Sequence, residues 1–156
     1  MSVPSNQRKP NTMEYVKKGS DLYLLTREVF SCVQNTYSEI YSEMLELANS
    51  YFVLASLADS YYLHEYSTKA QFRKREDLLQ DANSKLLAYR HELNLLWFNI
   101  RKGDNRFGKK AEAEKKFKRV ANTVNDASNL LGGIIKSDNE RWDSWHPKKS
   151  VKSKKN

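Results

Sequence analysis

The chain contains three histidines, His64, His91 and His146, and one cysteine, Cys32, so catalytic or metal chemistry would have to be built around these few side chains. A zinc-protease pattern needs a second histidine four residues after the first, with Glu following the first. His91-Glu92 meets Leu95 at that place, and His64-Glu65 meets Thr68. Di-iron bundles place Glu three residues before His; here those positions are Tyr61 and Ala88. A single cysteine supports neither a disulfide framework nor a cysteine metal site. Gly132-Gly133 runs into Ile134-Ile135 with no Lys-Ser/Thr pair at phosphate-loop spacing. The expectation is therefore a non-enzyme with no catalytic residue, cofactor or metal, in which His64 and His91 are ordinary surface or boundary residues.

Fixed positive charge, by contrast, is abundant and locally concentrated. Arg101, Lys102, Arg106, Lys109 and Lys110 surround the last interhelical turn, and Lys115, Lys116, Lys118 and Arg119 follow it. Over 101–119 nine bases face three acids. Cations at a helix N-terminus oppose its macrodipole, so this placement costs stability, a conflict expected at functional surfaces. Arg73, Lys74 and Arg75 open the preceding helix after Lys69, and Lys85 and Arg90 continue along it. With Lys148 and Lys149 at the C-terminal end, these residues predict a basic face running the length of the last two helices. Such a face suits an extended polyanion held through phosphate contacts. Phe107 and Trp97 are the few aromatics placed within it, so base stacking is only weakly indicated. Arg75 stands at a core-type position, where snorkelling or pairing with an acid of the second helix explains it as well as ligand binding does.

The charge pattern extends to the whole chain. Its 156 residues carry a net +8, and that excess belongs to residues 1–20 and 145–156, leaving 21–144 formally neutral. Within the neutral body, 21–65 holds seven acids and one base, whereas 66–121 holds fifteen bases and seven acids. An acidic half thus precedes a basic half, and basic patches accelerate encounter with polyanions.

Long helices must position these residues. Five glycines and three prolines are too few for the turns of a sandwich, barrel or doubly wound sheet. The predicted organisation is an all-α, antiparallel four-helix bundle over 12–144, an extended arm over 1–11, and a basic tail over 145–156, both arms being flexible. Helix 1 is predicted from about Met13 to Gln34 on a stripe of Leu22, Leu25, Val29 and Cys32 or Val33, with Cys32 read as a small core residue. A break at Asn35, with Thr36-Tyr37-Ser38-Glu39 as a capping box, competes with one continuous helix through 35–36. Helix 2 repeats Tyr37, Ile40, Met44, Leu47, Tyr51, Leu54, Ala58 and Tyr61, and its extra aromatics and aliphatics widen the apolar surface beyond one stripe. Thr68 to Gln71 forms a second capping box, opening a helix striped by Phe72, Arg75, Leu79, Ala82, Leu86, Tyr89, Leu93, Leu96 and Ile100. Gly103 and a turn over 104–108 stop it. Helix 4 follows from about Lys110 to Lys136 on Ala113, Phe117, Val120, Val124, Ala127, Leu131 and Ile134. Gly132-Gly133 signals either close helix approach or fraying, with Trp142 and Trp145 lying beyond.

Several short motifs resemble a known family. Met1-Ser2-Val3-Pro4 with Arg8 and Met13-Glu14 looks like the opening of small bundle proteins encoded beside bacterial and phage reverse transcriptases. Ala58-Asp59-Ser60-Tyr61-Tyr62, then Phe72, Arg75 and Ala82, is similar to the Ala-Asn…Tyr, aromatic-x-x-Arg and Ala elements of that group. Leu130-Leu131, Gly133 and Lys136-Ser137-Asp138 resemble its Leu-Leu-x-Gly-x-x-Lys-Ser-Asp signature. The family is the accessory variability determinant (Avd) of diversity-generating retroelements, related to the ribosomal intervening-sequence bundle proteins. Glu76, Leu79 and Ile134 depart from its usual Arg, Gln and Trp, and the connection between helices 1 and 2 is shorter than in many members. The resemblance implies a homopentamer that binds the element's reverse transcriptase and its RNA or cDNA, and the composition, with one cysteine and no apolar span, leads to the expectation of a cytoplasmic protein. The competing expectation is an oligomeric scaffold whose basic and acidic faces pair between protomers without touching nucleic acid. No window approaches the roughly 18 apolar residues of a membrane span, so no membrane partner is expected.

Overall fold

In the computed structural model of the protein, residues 11–100 and 105–148 are described, and every regular element among them is helical. Helix α1 spans Asn11–Phe30 and tightens into a single 3-10 turn over Ser31–Val33. Helices α2 (Ser38–Ser60), α3 (Lys69–Ile100) and α4 (Lys110–Trp145) follow. They form a four-helix bundle in which each helix packs against its sequence neighbours and α4 closes back on α1. The diagonal backbones stay apart, and long side chains bridge the space between them. The Tyr89 hydroxyl of α3, for instance, lies 2.6 Å from that of Thr26 on α1.

The apolar stripes build the core. On α3, Phe72, Arg75, Leu79, Ala82, Leu86, Tyr89, Leu93, Leu96 and Ile100 are all buried, and on α4 so are Ala113, Phe117, Val120, Val124, Ala127 and Leu131. Each fully buried Leu contributes roughly 1.5–3 kcal/mol, so the shared axis of these stripes sets the helix orientations. Buried side-chain nitrogen and oxygen atoms all have hydrogen-bond partners among the described residues. Thr26 donates to the Leu22 carbonyl at 2.6 Å, and the Tyr51 hydroxyl donates to the Tyr15 carbonyl at 2.6 Å. Gly19 permits the close α1–α2 approach: a Cβ there would lie 2.8 Å from Tyr51 Cδ1 and 2.9 Å from Phe52 Cα.

Two clusters mark the ends of the bundle. At one, Phe30, Phe107 and Phe117 meet edge to face at centroid distances of 5.1–6.0 Å. At the other, Tyr15 near the start of α1 donates to Asp59 near the end of α2 at 3.2 Å.

The chain breaks at residues 34–37, as a stop at Asn35 requires, but the proposed cap does not form. Tyr37 occupies the N-cap position of α2 with no side-chain cap bond, and the Thr36 and Tyr37 amides both donate to Val33 O. The Thr36 hydroxyl instead accepts from Arg106. Cys32 is exposed and Val33 takes the core position, because the 3-10 turn rotates the stripe by one residue. The second capping box is present: the Gln71 amide donates to Thr68 Oγ1 at 3.2 Å and the Thr68 amide to Gln71 Oε1 at 2.8 Å. Gly103 lies outside the described residues; Gly108, at φ +83°, makes the left-handed turn before α4.

Helix α4 continues nine residues past Lys136, with Trp142 and Trp145 in its last turns. Gly132 and Gly133 neither fray it nor admit a neighbour, since a Cβ at either would meet nothing within 4 Å. The extension is held by burial of Asp138 and by Trp142 stacking on Phe72 at 4.7 Å. These contacts outweigh a glycine cost of about 1 kcal/mol each.

Candidate nucleic-acid interface

The cations predicted to form one surface are placed on several. Lys109 occupies the N-cap position of α4 and Lys110 begins the helix. Both are exposed, as are Lys115, Lys116, Lys118 and Arg119. Among the described residues no ion pair engages Lys109, Lys110, Lys115, Lys116 or Lys118. Lys118 borders a groove of about 190 Å³ between α3 and α4, lined by Leu93, Asn94, Trp97, Glu114, Phe117 and Ala121. Arg119 turns the other way and meets Glu28 of α1 at 3.4 Å, in a pair with both side chains more than half exposed. Arg106 lies across the connection between α1 and α2, its guanidinium 5.4 Å from the Tyr37 ring centroid. Arg101, Lys102 and Lys149 lie outside the described residues.

Arg73 and Lys74 are exposed in the first turns of α3. Twenty residues separate Lys74 from Asn94 beside Lys118, or about 30 Å of helix. Lys85 and Arg90 do not bridge that distance as one strip. Five residues apart, they point about 140° away from each other around α3, and Arg90 is turned to α4, where it donates to Asn125 at 2.7 Å. The continuous basic face therefore resolves into a dense cluster at the α4 N-terminal end and a smaller one at the start of α3. Lys148 is exposed just beyond α4, near the smaller cluster.

Arg75 leaves the surface set altogether. It is 7% exposed, its Nε donates to Asp138 Oδ2 at 2.6 Å, and its Nη1 donates to the Ala58 carbonyl at 2.8 Å. The partner acid comes from α4 rather than α2, and this pair ties the end of α2 to both later helices. Phe107 is likewise no part of a basic surface: it is 1% exposed in the Phe30–Phe117 cluster. Trp97 is half-buried and tilted against Phe117 at 4.8 Å.

Sequence reasoning missed the aromatic end of the molecule. Arg141 donates to the Leu63 carbonyl at 2.7 Å, its guanidinium lying 6.0 Å from the Tyr62 ring and 4.9 Å from the Trp145 ring. Trp142 stacks on Phe72 and on His146, at 4.7 and 4.0 Å. The signal was Arg141-Trp142 and Trp145-His146 at helical spacing, which only a continuous α4 places beside the 61–68 loop.

His64 and His91 are exposed and lie apart. Among the described residues no group of His, Cys, Asp or Glu could hold a metal ion, and no helix is long and apolar enough to cross a membrane. No family model matches the chain, and comparison with curated proteins and with solved structures yields no match.

Proposed function

We propose that the protein is a non-catalytic, nucleic-acid-binding accessory subunit of a reverse transcriptase, of the diversity-generating retroelement type. The observation that carries this reading is the group of five exposed lysines without ion-pair partners, Lys109, Lys110, Lys115, Lys116 and Lys118, at the N-terminal end of α4. Lys109 and Lys110 oppose the dipole of the helix they open, and a phosphate backbone would relieve that conflict while making several salt-sensitive contacts with all five. In this reading the helices run antiparallel, in line with the Tyr15–Asp59 contact between the start of α1 and the end of α2. The lysine-rich ends of the chain act as arms that add affinity for template RNA or cDNA. The protein works in the cytoplasm as a homo-oligomer, a pentamer by family resemblance, docked on the polymerase.

The test is titration of fluorescein-labelled RNA and single-stranded DNA with wild-type protein and with a Lys115→Glu/Lys116→Glu/Lys118→Glu variant. These side chains are exposed and free of ion pairs, so circular dichroism should be unchanged. Loss of binding by tenfold or more is the expected result; equal binding would remove this cluster from the interface.

A scaffold without nucleic-acid binding is favoured by a different observation. Apolar side chains stay exposed on α2 (Phe52 37%, Val53 45%, Leu57 46%) and on α3 (Leu87 45%, Leu95 47%, Phe98 63%). Such surfaces suit subunit contacts. Dissociation of the wild-type oligomer by the same charge reversal, seen by light scattering, together with indifference to RNA, would select that reading.

A further inference from the structure

We propose that the end of the bundle formed by the 61–68 loop and the last two turns of α4 is a stacking platform for the bases of single-stranded nucleic acid. The proposal rests on the nucleic-acid-binding reading above and adds a second, chemically distinct site remote from the α4 lysines.

The loop is short, firmly held and unusually aromatic at its surface. Leu63 is 2% exposed and anchors it, while Ser67 is buried and bonded both ways to the His64 backbone, at 2.9 and 3.0 Å. Two arginines from the following helices fix its carbonyls, Arg75 holding Tyr61 and Arg141 holding Leu63, and Arg75 also holds the Ala58 carbonyl in the last turn of α2. The Thr68–Gln71 capping box closes its far side. On this rigid frame Tyr62 is 77% and Tyr66 82% exposed, beside an exposed His64. The core does not use these rings, so no packing demand accounts for them.

The Arg141 guanidinium lies 6.0 Å from the Tyr62 ring centroid and 4.9 Å from that of Trp145. Phe72, Trp142 and His146 form a stacked column with interplanar angles of 20° and 27°, from the buried Phe72 out to the exposed His146. A column of flat groups whose outermost member faces solvent is extended by one more flat group. A nucleobase fits that need irrespective of its sequence, because every base has a π-face. A duplex, whose bases already stack on each other, does not.

Charge separates this platform from the lysine cluster. Lys69, Arg73, Lys74, Arg141 and Lys148 lie at or near it in sequence and are partly offset by Glu65, Glu140 and Asp143, so it is less basic than the α4 cluster. Its contribution is stacking, which is weakly salt-dependent, whereas the α4 lysines contribute the counterion-release part of binding. Preorganisation by Arg75 and Arg141 lowers the ordering cost when a strand docks.

The experiment compares the full-length protein with a Tyr62→Ala/Tyr66→Ala variant and the Lys115→Glu/Lys116→Glu/Lys118→Glu variant. The ligands are a dodecamer RNA, the same sequence as single-stranded DNA, a duplex, and an abasic sugar-phosphate strand. Loss of both rings should weaken binding of the single strands by tenfold or more, at about tenfold per base stacked, while leaving duplex and abasic binding and the salt slope unchanged. Preference between the RNA and DNA arms identifies which strand the platform takes. The proposal is overturned if the tyrosine variant binds single strands as wild type does, or if wild type binds the abasic strand as tightly as the natural one. Failure of the underlying reading looks different: the lysine variant then binds every ligand as wild type does. Tryptophan fluorescence quenched by the dodecamer in wild type, and unquenched in a Trp142→Phe/Trp145→Phe variant that remains folded, reports directly on this end of the molecule. Wild-type fluorescence unchanged at saturating dodecamer would also overturn the proposal.

Discussion

At the scale of single residues, the bundle is held by side chains whose partners lie far away in the chain. Arg75 is readable as a charged residue on an apolar stripe, but Asp138, 63 positions later, is not readable as its partner, because periodicity within a helix carries no information about pairing between helices. With side chains only 8% and 7% exposed, the pair should be expensive to break from one side. Asp138→Asn is expected to lower the free energy of unfolding by about 3–5 kcal/mol, measured by urea denaturation, since it strands a buried guanidinium. Replacing both residues by apolar side chains of similar volume should recover much of that loss. The glycines give a contrast of sign. Gly19→Ala places a Cβ 2.9 Å from Phe52 Cα, a backbone atom, so it should destabilise by about 1–3 kcal/mol despite alanine's better helix propensity. Gly132→Ala and Gly133→Ala meet nothing and should each stabilise by about 1 kcal/mol. Thermal melts of the three variants decide both signs. Gly19 and Gly132 look alike in sequence; only the position of the neighbouring helix distinguishes them.

At the scale of elements, the helices were legible and their ends were less so. Core positions of α3 and most of α4 follow directly from 3.6-residue spacing, which burial enforces over many turns. Ends depend on a few local bonds competing with tertiary contacts, so similar signals led to different outcomes. Thr68 and Gln71 cap α3 reciprocally, whereas Thr36, in an equally plausible motif, accepts from Arg106 of the opposite connection. Thr68→Ala should therefore cost about 1 kcal/mol in chemical denaturation, through loss of the cap. The end of α4 was misjudged because the unfavourable glycines are local, while Asp138 and Trp142, which hold the helix beyond them, act through α3. The ring contacts of Trp142, Trp145 and His146 exist only because α4 reaches Trp145. The basic face was legible in composition but not in direction. Lys118 faces the α3 groove and Arg119 faces Glu28, although they are adjacent in sequence.

At the scale of the whole molecule, two properties of the bundle can be titrated. Burial is the main cause that pushes the phenols of Tyr15, Tyr51 and Tyr89 above the usual tyrosine range; Asp59 adds to the rise at Tyr15, against an opposing effect of Arg75. A folded-state value above the unfolded one means that the unfolded chain loses these protons first. Stability should hold below about pH 10 and fall as pH rises beyond it, as measured by urea denaturation followed by circular dichroism at a series of alkaline pH values. The second property is the separation of charge, with an acidic first half of the body, a lysine cluster at the start of α4, and an aromatic end whose bases are partly offset by acids. Under the proposed function, this separation would divide binding into a salt-sensitive part and a stacking part. The most direct test of the central claim is the dissociation constant for single-stranded RNA measured across a series of salt concentrations. Four or five lysines on phosphates predict a straight line of the logarithm of the association constant, the reciprocal of that dissociation constant, against log salt with a slope of about −3, made shallower by about 2 in the Lys115→Glu/Lys116→Glu/Lys118→Glu variant. A slope near zero in the wild-type protein, or no binding at low salt, would contradict the account.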